Sequence, residues 1–484
     1  MPLTYKFYPT LLAINLLALL MTVPRAIKLK REDALPLILI LLMSLLVLFL
    51  PLPRHVVTGE FVFMAVAENI AKGEGYSYCM AYEGEKCMGA TLSARPPGAS
   101  VLMTPFIMMS FDTLYVARAL SLVFGVLSGL VFYLCAKEFS DRGKGFASAL
   151  LFTLLVSKVR LSLTTVSELP SLFFFVLVIY FMTIYTKRRE GLLALCSTLS
   201  YFIHIRPENI FIALPLLVVF GWVLYKSPRD RVSTTAFLFL LVNYAYATTH
   251  MLSNFQNFFV ETFAPITRFQ IFSSNLVSNI QFFFDAEFFN PILTFIFIYG
   301  VFKLLTSRKD KLSIGIIVSF IVAFLLFTAF EFGDFRTFGH GIRYTVIPLT
   351  LFMLVLSKFI PKGRLFQGSV ILLSLCLLLT SEVTTFSTIS GEVFKAIEED
   401  SFGLSGVKNV LVTPASIVHM YYPEKNVYPY HSMEYNYFGE GLYVYSPLNR
   451  KEVDPGTPPG QCNSSLFKQI PVFDLTMGVY NISC

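Results

Sequence analysis

Charge is scarce in this chain of 484 residues: Asp, Glu, Lys and Arg make up only 14% of it, against about 25% in ordinary soluble domains. That shortage excludes water as the principal solvent. Tryptophan is nearly absent, with Trp222 alone, and histidine is thin at six residues. No two histidines share a ligand spacing, so no paired-His metal motif can be assembled. Basic clusters interleaved with stacking aromatics are missing from the polar segments, which removes nucleic acid as the reason for the net charge of +7. Solenoid repeats and low-complexity tracts are missing too. What the chain has instead is apolar residues, 55% of the total, including 50 Phe. Those rings suit lipid contact or a lipid-binding groove, and they also fill helix interfaces.

Crossing about 30 Å of hydrocarbon takes roughly 20 apolar residues, fewer where the flanks are polar. About twelve such stretches can be counted, centred near Ala18, Leu42, Gly125, Leu151, Leu177, Leu199, Leu216, Leu240, Ile296, Val322, Met353 and Leu373. The short loops between alternate pairs carry Arg25, Lys28, Lys30 and Arg31; Lys137, Arg142 and Lys144; Lys187, Arg188 and Arg189; Lys226, Arg229 and Arg231; Arg308, Lys309 and Lys311; and Lys358, Lys362 and Arg364. The positive-inside bias makes these loops cytoplasmic. Both termini and every long loop then lie outside. The basic cluster follows the first apolar stretch rather than preceding it, so that stretch reads as a membrane helix and not as a signal peptide. The expected architecture is a polytopic α-helical membrane domain over residues 1–381, with outer loops at 53–112 and 251–290. A small soluble α/β domain over 382–484 follows, where the apolar run Val410, Leu411, Val412 reads as a strand.

Cysteines and sequons agree with this orientation. Cys135, Cys196 and Cys376 fall in membrane helices, where a thiol is a small apolar filler. The other four lie in the outer segments as two local pairs, Cys79 with Cys87 and Cys462 with Cys484. Oxidising surroundings would make them disulfide candidates, although sequence alone leaves connectivity open. Both Asn-x-Ser/Thr sequons, at Asn463 and Asn481, also fall in the outer C-terminal segment.

Ionisable groups at membrane depth are costly, so their positions are informative. Arg118, Lys158, Arg160, Glu168, Arg206, Glu208, Glu331, Asp334, Arg336 and Arg343 all map to the outer ends of helices. An external charged cavity roofed by soluble segments is the natural inference. The segment Asn254 to Phe289, dense in Phe, reads as amphipathic helices on the outer leaflet.

The first outer loop runs from Thr58-Gly59-Glu60 through Gly73-Glu74-Gly75-Tyr76 to Arg95-Pro96-Pro97-Gly98. An acidic residue just after a membrane helix, a short helix ending Gly-x-Gly-aromatic, and a basic residue before Pro-Pro resemble the C-type membrane glycosyltransferases. Those enzymes use polyprenyl-phosphate sugars, and protein O-mannosyltransferases and the aminoarabinose transferase of lipid A are relatives. Ala117-Arg118, Arg160 before Glu168, Arg206-Pro207-Glu208 and Arg343-Tyr344 continue the resemblance in order, so that it covers roughly Glu60 to Thr380.

The resemblance implies a sugar moved from a lipid phosphate to an acceptor hydroxyl outside the cytoplasm, without a catalytic metal or a bound cofactor. Such transfer needs a general base and positive charge for the leaving phosphate. By resemblance the base is Glu60, where relatives commonly carry Asp-Glu and this chain carries Gly59-Glu60. Glu68 and Asp112 are the other acids near that role, and a helix cap is its competing use. Arg95, Arg343 and Tyr344 match the positions that face the donor phosphate. A headgroup anchor is the competing role for Arg95, and an interface belt for the Arg343-Tyr344 pair. Arg118, Arg160, Glu168, Arg206 and Glu208 read as ion pairs that hold the cavity together.

A multispan transporter is the main alternative, but transporters gather polar groups near the midplane in repeated halves, and no matching halves are found. A lipid-linked glycan flippase or polymerase would also need outer basic residues and a lipid groove. Oligosaccharyltransferases read their acceptor with a Trp-Trp-Asp motif, and the lone Trp222 lies in an apolar stretch. The inner loops are too short for a nucleotide-sugar domain. The expected partners are a polyprenyl- or dolichyl-phosphate-linked sugar, membrane lipid, and an acceptor glycan, lipid or protein.

Overall fold

The computed structural model describes residues 4–48, 55–56, 61–79, 82–83, 86–87, 90–92, 96–162, 164–165, 167–225, 231–253, 267–307, 311–330, 333–336, 341–381, 400–401, 404–406, 409–411, 422, 424–428, 440–444, 463–472 and 475–483. Helices dominate it. They are α1 (Thr4–Ala26), α2 (Ala34–Leu48), α3 (Phe61–Ala71), α4 (Gly98–Met108), α5 (Thr113–Phe139), α6 (Arg142–Thr153), α7 (Val156–Ser162), α8 (Glu168–Arg188), α9 (Leu192–Phe202), α10 (Asn209–Tyr225), α11 (Arg231–Ser253), α12 (Thr267–Phe282), α13 (Pro291–Ser307), α14 (Lys311–Thr328), α15 (Val346–Phe359) and α16 (Arg364–Thr380). Each of the apolar centres read from the sequence lies inside one of them.

Among the described residues three helices, Phe7–Ala26, Thr113–Phe139 and Glu168–Arg188, are each long and apolar enough to cross a bilayer, and α6 with α7, bent by 59° at their break, adds a fourth if the pair counts as one span. Most of the remaining apolar helices span 10–17 residues. Their ends are set by ordinary local signals. Asp112 caps α5 by accepting the Tyr115 N–H at 3.0 Å, Asp141 caps α6 by accepting the Lys144 N–H at 3.0 Å, and α8 stops at Arg189, whose φ of +61° is left-handed.

Helix α8 is the hub: it is buried along almost its whole length and packs against α5 and α9, while α5 packs in turn on α6. Phenylalanines fill the interfaces, as where Phe132 stacks on Phe152 at 4.2 Å and Phe297 on Phe352 at 4.0 Å. Other large apolar side chains point outward with nothing packed on them, among them Leu35, Leu46, Phe295 and Phe302, each 59–68% exposed. A belt of that kind marks a surface solvated by lipid, and the chain is a membrane protein.

Four of the short basic loops collect at one end of the bundle. Lys28 pairs with Glu190 at 2.8 Å, Lys137 with Asp33 at 2.5 Å, Arg188 with Glu138 at 2.9 Å and Lys362 with Asp141 at 3.4 Å. These contacts tie together the α1–α2, α5–α6, α8–α9 and α15–α16 connections. Lys226, Arg229, Arg308 and Lys309 lie outside the described residues.

Strands are short except at the C-terminal end. They are β1 (His55–Val56), β2 (Ser77–Cys79), β3 (Tyr82–Glu83), β4 (Lys86–Cys87), β5 (Ala90–Leu92), β6 (Thr164–Thr165), β7 (Asn409–Leu411), β8 (Asn426–Tyr428), β9 (Glu440–Val444), β10 (Asn463–Val472) and β11 (Leu475–Ser483). The order β10-β11-β9-β7-β8-β3-β4 forms one mixed sheet, so a hairpin of the first long loop completes a sheet built by residues after 400. The β10–β11 ladder closes on the pair Asn463 and Ser483, the neighbours of Cys462 and Cys484. Cys462 and Cys484 themselves, and the side chains of Cys79 and Cys87, lie outside the described residues. Cys135 and Cys196 are free and buried, and Cys376 is free and exposed.

Candidate active site

Helix α8 begins at Glu168, and its 21 residues rise about 30 Å before reaching the basic end at Arg188. Glu168 is therefore at the opposite end of the bundle. Two further segments arrive there. The turn between α9 and α10 brings Arg206-Pro207-Glu208, and a 3₁₀ turn, Gly341–Tyr344, enters α15.

These segments bring four charges together in the interior. Arg343 Nε lies 2.5 Å from Glu168 Oε1, the Arg206 guanidinium is paired with the same carboxylate, and Arg206 Nε lies 2.5 Å from Glu208 Oε1. The side chains of Glu168, Arg206, Glu208 and Arg343 are only 3–8% exposed. Isolated charges at such depth would be prohibitive, and the pairing of two acids with two guanidiniums makes the group tolerable. The Tyr344 ring lies 5.9 Å from the Arg206 guanidinium and 5.5 Å from that of Arg343. That ring is held by Phe327, stacked at 5.1 Å, and by Phe330 edge-on at 5.4 Å. Arg206 also reaches the Ser167 hydroxyl at 3.3 Å.

Ser167 connects the charges to a cleft. Together with Phe63, Met64, Leu102, Met103 and Ala117 it lines a narrow cavity of about 30 Å³ between α3, α4, α5 and the start of α8. Its lining is mostly apolar, with Ser121 and Ser167 as the hydroxyls.

Glu60 and Arg95 lie outside the described residues, but their flanks are placed. Strand β1 pairs in parallel with β6, His55 against Thr164 and Val56 against Thr165. His55 and Val56 are thereby pinned a few residues before Glu168. Past Arg95, the Gly98 N–H donates to the His204 carbonyl at 2.8 Å, and the Tyr201 hydroxyl donates to the Gly98 carbonyl at 2.9 Å. A Cβ on Gly98 would collide with the His204 carbonyl oxygen, so only glycine lets the Pro96-Pro97-Gly98 turn seat two residues from Arg206.

The other acids near the first loop have structural employment. Asp112 caps α5, and Glu68 accepts the Thr113 hydroxyl at 2.7 Å. Burial pushes the Glu68 carboxyl above the ordinary range against the Thr113 hydrogen bond and nearby Lys72. Gly73 and Gly75, at φ +78° and +87°, turn the chain so that the Tyr76 hydroxyl meets His250 Nε2 at 3.3 Å.

The other charges occupy different elements. Arg118 sits on α5 with its Nε buried and without a hydrogen-bond partner among the described residues. Buried Arg160 belongs to α7, which packs against the Gly341–Tyr344 turn. Asp334 accepts the Ser278 hydroxyl at 2.6 Å and Arg336 pairs with Asp285 at 3.0 Å, so these two serve α12 and its flank instead. Of the ten positions read as one cavity, Glu168, Arg206, Glu208 and Arg343 are joined by ion pairs, Asp334 and Arg336 are engaged with α12 and its flank, and Glu331 lies outside the described residues.

Histidine is where sequence reasoning missed a participant. His204 is fully buried and its Nε2 faces Asn243 Oδ1 at 3.3 Å, while the Tyr8 hydroxyl meets Nδ1 at 2.8 Å. The Asn243 carbonyl oxygen only accepts, so Nε2 carries the hydrogen and Nδ1 receives the Tyr8 O–H. Asn15 Nδ2 also donates to Asn243 Oδ1 at 2.7 Å. The only signal for this in the sequence was proximity to Arg206-Pro207-Glu208. Among the described residues no group of three or more His, Cys, Asp and Glu side chains could hold a metal.

No protein-family model matches this sequence, and neither does any curated protein. Solved structures do match. ArnT from Cupriavidus metallidurans, bound to undecaprenyl phosphate, superposes with a TM-score of 0.54 at 14% identity over 92% of this chain and 97% of ArnT. The archaeal oligosaccharyltransferase AglB from Archaeoglobus fulgidus, in complex with an inhibitory peptide and a dolichol-phosphate, gives 0.51 at 11% identity over 83% of this chain and 64% of AglB. The chain thus spans nearly all of one relative's length and under two thirds of the other's. Its fold is that of the C-type membrane glycosyltransferases.

Proposed function

We propose that this protein is an integral membrane glycosyltransferase of about twelve spans that moves one sugar, a hexose such as mannose, from a polyprenyl or dolichyl phosphate to an acceptor outside the cytoplasm. The observation that carries the proposal is the convergence of Arg206 and Arg343 on Glu168 at the end of the bundle away from the basic loops. By the positive-inside bias that end is extracytoplasmic. ArnT and AglB were solved with polyprenyl-type phosphates, which supports a lipid phosphate as the donor's anionic part.

In this reading the acceptor hydroxyl attacks the anomeric carbon as Glu60 takes its proton. The bond from that carbon to the phosphate oxygen breaks, and the electron pair leaves with the phosphate. Negative charge therefore grows on the phosphate in the transition state, where Arg95 and Arg343 stabilise it, with Tyr344 orienting the Arg343 guanidinium. Direct attack inverts the anomeric centre. Glu168 and Glu208 hold Arg206 and Arg343 in place. A transporter would gain nothing from charges buried at one end.

The test is a purified-protein assay with a polyprenyl-phosphate hexose. Turnover is expected to vanish in Glu60→Gln and to survive in Asp112→Asn. Unchanged turnover in Glu60→Gln removes the base assignment, and retained donor binding in the Arg95→Ala/Arg343→Ala double variant removes the phosphate assignment.

A further inference from the structure

A second buried cation lies away from the charge cluster. Lys158, on α7 just past the 59° break from α6, is 3% exposed. Among the described residues its ammonium forms no ion pair and no hydrogen bond. Its one marked contact is with the Phe152 ring, 5.5 Å from the centroid. It faces a small cavity lined also by Ser44, Gly125, Thr153 and Ser162, with valine walls.

The hydroxyls around this cavity are not equivalent. Thr153 donates back to the Ala149 carbonyl at 2.9 Å, and Ser162 to the Lys158 carbonyl at 2.9 Å. Ser44, 4% exposed, has no partner for its Oγ among the described residues. An ammonium and a hydroxyl, both buried and both with donors to spare, therefore meet in one void. A charge left in so low a dielectric costs several kcal/mol unless the amine gives up its proton or an opposite charge joins it, and a bound anion favours the charged form. A water molecule would supply a hydrogen bond but no counter-charge. The void holds about one guest of water size, too little for a sugar or a lipid headgroup.

We infer that the Lys158 cavity is a binding site for a single small inorganic anion of the halide class, held by the Lys158 ammonium and the Ser44 hydroxyl. The bound ion would pin the α6–α7 break to α2 and α5. Glycine at 125 is part of the design, since a Cβ there would collide with Ser162 Oγ and close the space.

The experiment uses the full chain in detergent at constant ionic strength, with sodium chloride or bromide replacing sodium gluconate. Wild-type protein is expected to gain on the order of 2 °C in apparent Tm, with saturation. Lys158→Met should abolish the gain and Ser44→Ala should weaken it. A wild-type Tm indifferent to the exchange, or a gain of equal size in Lys158→Met, overturns the inference. Should Lys158→Met not fold, bromide-soaked wild-type crystals decide: an anomalous peak beside Lys158 Nζ supports the site, and no peak there refutes it.

Discussion

Replacing Glu168 by Gln isolates what the buried cluster is worth. The substitution keeps the shape and deletes the one charge that faces both Arg206 and Arg343, whose side chains are only 7% and 8% exposed. At that burial salt and water screen little, and breaking a buried pair by removing one partner costs about 3–5 kcal/mol. Arg343→Gln should cost a similar amount. The double variant removes both members of the pair, so its loss should fall short of the sum by about 2 kcal/mol, the signature of direct coupling. Unfolding in mixed SDS micelles, followed by the fluorescence of Trp222, measures all the corners of the cycle. Arg142 and Glu32 serve as the control, with side chains 48% and 67% exposed, where the coupling should not exceed about 1 kcal/mol. Additive losses for Glu168 and Arg343, within about 0.5 kcal/mol, would refute the claim that these side chains form one unit.

Other consequences can be checked independently. Gly98→Ala forces a methyl into the His204 carbonyl, and it should cost about 1–3 kcal/mol and lower donor affinity by shifting the loop that follows Arg95, as read by lipid-phosphate binding. Burial alone would raise the Asp33 carboxyl, but the Lys137 ammonium, the Lys30 N–H and the Tyr133 hydroxyl hold it below the usual range. Its stabilising share is therefore present above the unfolded pKa near 4 and lost as pH falls through the folded value. Asp33→Asn should flatten that part of the acid unfolding curve. Glu68 has the opposite sign: its raised carboxyl favours the neutral form, so the folded state loses stability as pH rises through the folded value. Glu68→Gln should remove that loss and raise the apparent Tm at pH 8, with no change at pH 4.

Much of the scaffold was legible because lipid imposes a one-dimensional rule. An apolar run must become a helix to satisfy its backbone, and the apolar centres from Ala18 to Leu373 all fell inside helices. Loop charges were legible as well, since Lys28, Lys137, Arg188 and Lys362 gather at one end of the bundle. The site was legible only in part. Arg206, Glu168 and Glu208, read as ion-pairing charges, do pair, and Arg343, read as a phosphate contact, joins them, whereas Asp334 and Arg336 are engaged with α12 and its flank. Nothing in the order of residues says which face of a helix a charge occupies relative to a distant helix. The break at residues 154–155 and the void beside Lys158 were illegible for the same reason, and so was the recruitment of β3 and β4 into the sheet of the C-terminal strands.

The solvent, the positions of the helices and the clustering of basic residues in short loops are all written in local composition, through the cost of exposing backbone or charge to hydrocarbon. Which charges become neighbours is settled by packing. Pairing Glu168 with Arg206 and Arg343 joins segments separated by dozens of residues, and its energy depends on distance and burial, which exist only once α8, the 204–208 turn and the 341–344 turn have packed against one another.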